Sequence, residues 1–252
     1  VQCEKTGVLM FNEQMNNTFL TGLSQETWLR WRPHLRWVEL EREQALSHAG
    51  CNPEHVYFPT RAVVVLYAIT DDGACSELAL VGHEGMVGVC GFMDSKAIFN
   101  NAMVVVGGPC WRMSAARFRA EVMGEPALMQ AMLRYMQALI TQVAQTAVCN
   151  RHHSIDQALC RWLLMSQDRV RCAPLQLTHE LIARLMGVRR EGVTEAAVRL
   201  QRSGLIRYTR GSITVTDRAG LERAACECYG RVRTEHQRLL GWPDAWPAHT
   251  LT

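Results

Sequence analysis

Apolar positions recur along this chain with two different periods, and the places where the period changes divide it. Residues 1 to 17 carry few periodic apolar positions and read as a loose arm. From Phe19 to Trp31 the spacing is helical, with Ser24 as a cap ahead of Gln25 and Glu26. The period then shortens. Trp37-Val38-Glu39-Leu40, His55-Val56-Tyr57-Phe58 and Ala62 to Tyr67 are short β-prone runs separated by Gly50, Pro53 and Pro59. Asp71-Asp72-Gly73 reads as a hairpin turn with Ser76 to Val81 as the returning strand, and Met103 to Val106 as a further strand before Gly107-Gly108. Short strands at this density predict a sandwich or barrel over about 37 to 112.

Helical spacing returns at Pro126, a residue suited to a first helical turn, and runs without another proline or glycine to Cys149. Leu128, Met132, Tyr135, Leu139, Gln142 or Val143, and Thr146 recur at alternating steps of four and three, a coiled-coil-like seam. A helix this long between two domains is expected to pair with its twin; the plainer reading is an amphipathic helix packed on its own domain. Asn150-Arg151-His152-His153 reads as a polar hinge. Ser154 with Gln157 fits a capping box, and Ile155, Leu159, Trp162 and Leu163 mark the buried face of the next helix.

The stretch from Leu177 to Ile206 is two short helices around a turn. Thr178 is the N-cap of the first, Leu181, Ile182 and Leu185 form its inner face, and Gly187 ends it. The second starts near Arg189, buries Val193, Ala196, Ala197 and Leu200, and stops at Ser203-Gly204. This is the helix-turn-helix signature. Ile206 to Tyr208 and Ile213 to Val215 then alternate around Arg210-Gly211 as a wing-like hairpin. Asp217 to Cys228 reads as a closing helix, and the tail from Gly241, with Trp242, Pro243, Trp246 and Pro247, as irregular.

Length and composition restrict the class further. A chain of 252 residues, 48% of them hydrophobic, is expected to form two domains with adequate cores. No apolar run approaches the roughly 18 residues needed to cross a membrane, and no signal peptide is read, so a cytoplasmic location is expected. Ten cysteines scattered through a chain with a normal core are expected to be reduced, buried thiols. Charge is asymmetric: from Arg151 onward 16 arginines and no lysine stand against 10 acidic residues, a net +6, while the first 150 residues carry −3. The electropositive half implies a polyanionic partner, which charge alone leaves as nucleic acid or an acidic protein surface.

Arg189, Arg190, Glu191 and Thr194 occupy the first turn and a half of the second helix, the part of such a helix that enters a major groove first. Arg190 can donate two bonds to guanine O6 and N7, and Glu191 can accept from cytosine N4, so these four are the base-reading candidates. Thr178, Arg199, Arg202, Arg207 and Arg210 are candidates for phosphate contacts, which position without specifying. Cys226 and Cys228 form a C-x-C at a helix end with no assured further ligands, so no metal site is expected. Cys149 with His152 and His153 lacks an orienting acid or an oxyanion loop, and no enzyme is expected. Met129, Met132 and Met136 read as pliable packing.

HVYFP at 55 to 59, DDG at 71 to 73, GHEGMVG at 82 to 88, the whole of LTHELIARLMGVRREGVTEAAVRLQRSGLI and RYTRGSITVTDRAGLE resemble the bacterial Crp/Fnr transcription regulators over roughly residues 19 to 228. The resemblance implies an α+β chain: a cyclic-nucleotide-binding-like β-roll or jelly-roll barrel at 19–125, a dimerisation helix at 126–150, and a winged helix-turn-helix at 154–228. Cyclic-AMP-binding members carry Gly-Glu-Leu and Arg-Ser-Ala where this chain has Gly88-Val89-Cys90 and Asn100-Asn101-Ala102. Gly88, Val89, Cys90, Asn100 and Asn101 therefore mark a degenerate ligand pocket in which the phosphate-pairing arginine is missing, and cyclic AMP is not an expected ligand. Oxygen-sensing members use clustered N-terminal cysteines for an iron-sulfur cluster, whereas only Cys3 is present here, so no cofactor is expected. Glu195 stands where many members place another base-reading arginine. The resemblance implies a homodimer on double-stranded DNA at near-palindromic sites, with Leu128, Met132, Tyr135, Leu139, Val143 and Thr146 at the dimer helix, RNA polymerase as a further partner and an unknown effector. The alternative is a small-molecule-binding module acting on a protein partner.

Overall fold

The computed structural model describes residues 16–89, 92, 100–170 and 174–241. Cys3, Cys90 and the Trp242, Pro243, Trp246 and Pro247 tail lie outside those residues, as does most of the N-terminal arm.

The described residues open with a short helix α1 (Thr18–Thr21) and a second, α2 (Gln25–Trp31), which the Ser24 hydroxyl caps by accepting from Thr27 N. Seven strands follow among the described residues: β1 (Arg36–Leu40), β2 (Ala45–Ser47), β3 (His55–Pro59), β4 (Val63–Ile69), β5 (Cys75–Val81), β6 (Asn101–Val106) and β7 (Gly108–Ser114). They form two antiparallel sheets, β2-β6-β4-β5 and β1-β7-β3. The expected hairpin at Asp71-Asp72-Gly73 joins β4 to β5, with Gly73 at φ 86°. Leu40, Val64, Val81 and Val104 share one buried cluster, and Trp31, Phe58, Trp111 and Phe118 build an aromatic one beside it. Phe118 belongs to α3 (Ala115–Gly124), a helix absent from the sequence-based expectation.

The long helix α4 (Pro126–His152) outlasts its predicted end, so the polar hinge at 150–153 shrinks to His153 and Ser154. Its 3-4 seam is covered from within the same chain. Leu128, Met132 and Tyr135 enter the aromatic cluster, Tyr135 Oη donates to Met86 O at 2.6 Å, and Gln142 Nε2 donates to Leu80 O at 3.1 Å. Thr146 is also buried, and Leu139 and Val143 are half-buried. The plainer reading of the seam therefore holds for these residues, because the barrel and a C-terminal helix lie against that face. The exposed face carries Leu133, Gln137, Ile140, Ala144 and Val148 instead.

Helix α5 (Ile155–Arg169) starts in the expected Ser154–Gln157 capping box. After β8 (Leu175–Gln176) come α6 (His179–Met186), α7 (Arg190–Arg202), β9 (Ile206–Thr209), β10 (Ser212–Val215), α8 (Arg218–Ala224) and α9 (Glu227–Leu240). β8 adds a third strand to the wing, in the order β8-β10-β9. The single helix expected over Asp217 to Cys228 is instead two helices broken at Ala225-Cys226, and Cys226 and Cys228 open α9 rather than close its predecessor. α9 packs along α4.

The two domains share a core. Val63, Val65, Leu80, Met103 and Val105 of the sheet β2-β6-β4-β5 join Trp162, Leu163, Leu177, Leu185 and Leu200 in one buried cluster. Polar groups pin the same joint. Trp162 Nε1 donates to the buried Glu77 carboxylate, and Arg169 Nε donates to Glu84 Oε1.

Candidate nucleic-acid interface

The helix-turn-helix forms where local chemistry puts it. Thr178 Oγ1 accepts from Leu181 N at 3.2 Å, and Gly187 ends α6 in the left-handed conformation at φ 66°, where a Cβ would be strained. Leu181, Ile182 and Leu185 of α6 and Val193, Ala196, Ala197 and Leu200 of α7 are all buried together, which fixes the angle between the two helices. α7 begins after Arg189, whose side chain makes no cap bond, and Glu191 lies in its first turn, where the helix dipole favours a carboxylate.

Arg189, Arg190, Glu191 and Glu195 are exposed. Arg190 Nε lies 3.7 Å from Glu180 Oε2, with both side chains about two-thirds or more exposed, a loose pair that a competing ligand can open. Thr194 is differently placed. It is half-buried, its hydroxyl donates to Arg190 O at 3.0 Å and it sits 3.1 Å from His179 Nδ1, so its oxygen already has partners within the protein. The His179 ring stacks on Tyr208 of the wing at 4.1 Å between centroids, and burial followed by the charge of Arg190 holds the ring below its ordinary pKa. Neutral His179 thus couples the start of the second helix to the wing, a role no local pattern signalled. Gln201 Oε1 adds to this by accepting from Tyr208 N at 2.8 Å.

Of the phosphate candidates, Arg202, Arg207 and Arg210 are exposed. Arg210 stands at the wing tip with φ 47° beside Gly211 at φ 79°, the paired left-handed geometry of a two-residue hairpin turn. Arg199 is spoken for: its Nε and Nη2 donate to both oxygens of Asp156 at 2.8 and 2.6 Å, which ties α7 to α5. Thr178 uses its oxygen as the cap. Both side chains thus help to hold the unit's shape.

The residues of the degenerate pocket are mostly structural. Gly88 has φ 95°, and a Cβ there would meet His55 O at 2.5 Å. Val89 is part of the aromatic cluster. Asn101 is buried and its Oδ1 accepts from Ala49 N at 3.1 Å, while Asn100 Nδ2 reaches Asn101 O at 3.5 Å. Cys90 is outside the described residues. The GHEGMVG stretch, which contains Gly88, is chiefly a joint: Gly85 lies where a Cβ would strike the Tyr135 ring at 2.3 Å, and Gly82 where one would strike Arg169 Cβ at 2.7 Å.

Residues 157–224 match the Crp-like helix-turn-helix domain. The chain carries that domain on a Crp/Fnr fold. Among solved structures, FixK2 from Bradyrhizobium japonicum superposes with a TM-score of 0.66 at 13% identity, over 76% of this chain and 98% of that one. The c-di-GMP-responsive global regulator CLP of Xanthomonas campestris gives 0.61 at 16% identity, over 77% and 100%. A Crp/Fnr-family transcriptional regulator from Thermus thermophilus gives 0.61 at 18% identity, over 75% and 98%. No curated protein sequence matches. Within the described residues no helix is long and apolar enough to cross a membrane.

Proposed function

We propose that this chain is a homodimeric, sequence-specific transcription regulator of the Crp/Fnr type, acting in the cytoplasm on near-palindromic double-stranded DNA. The observation that carries the reading is the exposed set Arg189, Arg190 and Glu191 at the start of α7, held next to the arginine-bearing wing by the His179–Tyr208 stack, inside a Crp-like domain. Arg190 and Glu191 read base edges, and Arg202, Arg207 and Arg210 hold phosphates. Arg189, without a cap bond of its own, is free to join either set. RNA polymerase is the further partner of such a regulator.

Dimerisation uses the second face of α4. Leu133, Gln137, Ile140, Ala144 and Val148 are spaced by four, three, four and four residues, and Leu133 and Ile140 are 59% and 63% exposed. Two such helices paired about a twofold axis place recognition helices in successive major grooves, about 34 Å apart. Asn100 stands at the position that matches the phosphate-pairing arginine, so cyclic AMP is not the effector.

Selection of bound duplexes from a random pool tests the reading. Enrichment of an inexact palindrome with half-sites one helical turn apart is the expected result. No enrichment, together with no binding at low salt, would leave the domain as a protein contact. Calorimetry with cyclic AMP is expected to show no saturable heat in the micromolar range.

A further inference from the structure

The break between α8 and α9 brings together groups that are far apart in sequence. Cys149 lies in the last turn of α4 and His153 just beyond it, while Cys226 precedes α9 and Cys228 sits in its first turn. One ligand atom from each of these four residues lies within 4.8 Å of every other. Cys149 Sγ is 3.5 Å from Cys226 Sγ, and Cys228 Sγ is 3.6 Å from His153 Nδ1. A tetrahedral zinc with bonds of about 2.3 Å to sulfur and 2.0–2.1 Å to nitrogen has sulfur–sulfur edges of about 3.8 Å and sulfur–nitrogen edges of about 3.6 Å. The two measured separations agree with those edges to within a few tenths of an ångström. A disulfide requires about 2.05 Å, far closer than the sulfurs stand.

We propose that Cys149, His153, Cys226 and Cys228 bind one tetrahedral zinc-class cation, which clamps the end of the long helix to the start of α9. The surroundings supply what such a site needs. His153 turns Nδ1 toward the sulfurs and Nε2 toward Glu227 Oε2 at 3.2 Å, the carboxylate–histidine arrangement that fixes tautomer and ring orientation for a metal. Cys226 occupies the N-cap of α9 without a cap bond, where the helix dipole favours a thiolate. Binding replaces three S–H bonds with three S–metal bonds and sends three protons to solvent, leaving three thiolates and a divalent ion with one net negative charge. The buried guanidinium of Arg161, one turn from Cys149 through Thr146, opposes that charge at 3.4 Å from Thr146 Oγ1. A cleft of about 470 Å³ beside the start of α9 is lined by Glu222, Cys226, Glu227 and Arg233.

The ion spans the hinge at His153 and Ser154, so it sets how the DNA-binding domain is carried by α4, and its binding is independent of the DNA reading. The test uses the full chain, purified reduced and without chelator. The expected results are one zinc per chain by elemental analysis and, after exchange into cobalt(II), the intense visible absorption of a tetrahedral thiolate-rich site with sulfur-to-cobalt charge transfer. Cys226→Ser/Cys228→Ser should lose the stoichiometric metal, Cys51→Ser/Cys75→Ser should retain it, and Glu227→Gln should weaken zinc binding roughly 10- to 100-fold. Reduced protein that takes up no zinc, a weak octahedral cobalt spectrum, or full zinc content in the Cys226→Ser/Cys228→Ser protein would each overturn the proposal. Should that double variant not fold, the cobalt spectrum of the unaltered chain decides.

Discussion

Arg169, at the end of α5, donates its Nε proton to Glu84 Oε1 at 2.7 Å, and neither side chain meets solvent. The pair joins the barrel to the DNA-binding domain. Arg169 also donates to Met165 O at 2.8 Å and to Gln142 Oε1 at 3.1 Å, and Glu84 accepts from Gly82 N, so barrel, long helix and α5 meet at one guanidinium. Burial pulls the Glu84 carboxyl upward, but Arg169, with His83 and His236, more than offsets this and holds it below the ordinary carboxylate value.

Removing one member of this pair leaves the other charge buried. Arg169→Met or Glu84→Met should therefore each lower unfolding free energy by about 3–5 kcal/mol, while the double replacement should recover most of the loss, because no uncompensated charge remains. Urea denaturation of the four proteins measures the cycle. Single replacements costing less than about 1 kcal/mol would mean that the joint holds through its apolar contacts alone.

His236 on α9 predicts how stability responds to acid. Burial, then the charge of Arg169, brings its pKa down to about 4 from 6.5, against a smaller upward pull from Glu84. The unfolded chain thus takes up this proton first. Stability contributed by the neutral ring is complete above about pH 6.5 and is lost as the pH falls toward 4, about 2 kcal/mol of it by pH 5. The Glu84 contribution is lost only at lower pH, since its folded-state value lies below the ordinary one. Urea midpoints from pH 7.5 to 5 should fall for the native chain and fall less for His236→Leu; parallel curves would contradict the assignment.

Three arginines should separate by role. Arg190→Ala is expected to relax preference at one base pair, with a loss of about 1–3 kcal/mol on the best site. Arg210→Ala should weaken all duplexes alike and reduce the salt slope by about one. Arg199→Ala should leave the slope almost unchanged and lower thermal stability, because its guanidinium is held by Asp156. Binding isotherms at several salt concentrations on a selected site and a scrambled one distinguish the three, and a full unit of slope lost in Arg199→Ala would return that residue to the phosphate set.

What could be read from sequence was what neighbouring residues decide. The Thr178 cap, the left-handed Gly187, the apolar faces of α6 and α7, the capping box at Ser154 and the wing turn at Arg210-Gly211 are all local, and all are found. Contacts across the chain were not legible. GHEGMVG was legible only through its resemblance to turns of the family, while Gly82 and Gly85 answer to Arg169 and Tyr135, far along the chain. Thr194 and Arg199 looked available because His179 and Asp156 lie in other helices. The C-x-C lacked partners in sequence because its two further ligands are more than seventy residues away. Pro109, early in β7, hid that strand, and the break at Ala225-Cys226 hid α9.

The long helix shows the same limit and supplies the final prediction. It has two apolar faces, and periodicity shows that each exists without showing what covers it. Leu128, Met132 and Tyr135 are covered by their own domain, so a charge there would unfold the barrel and say nothing about assembly. Ile140, 63% exposed on the opposite stripe, separates the effects. Ile140→Glu places a carboxylate against its twin across a helix pair, where burial of two like charges opposes association, while in the single chain the same side chain stays in water. Sedimentation velocity should show a dimer for the native chain and a monomer for Ile140→Glu, with the same helical circular dichroism and the same urea midpoint at low protein concentration. Affinity for a full palindrome should then fall toward that for one half-site. A variant that remains dimeric would move the contact off this face of α4.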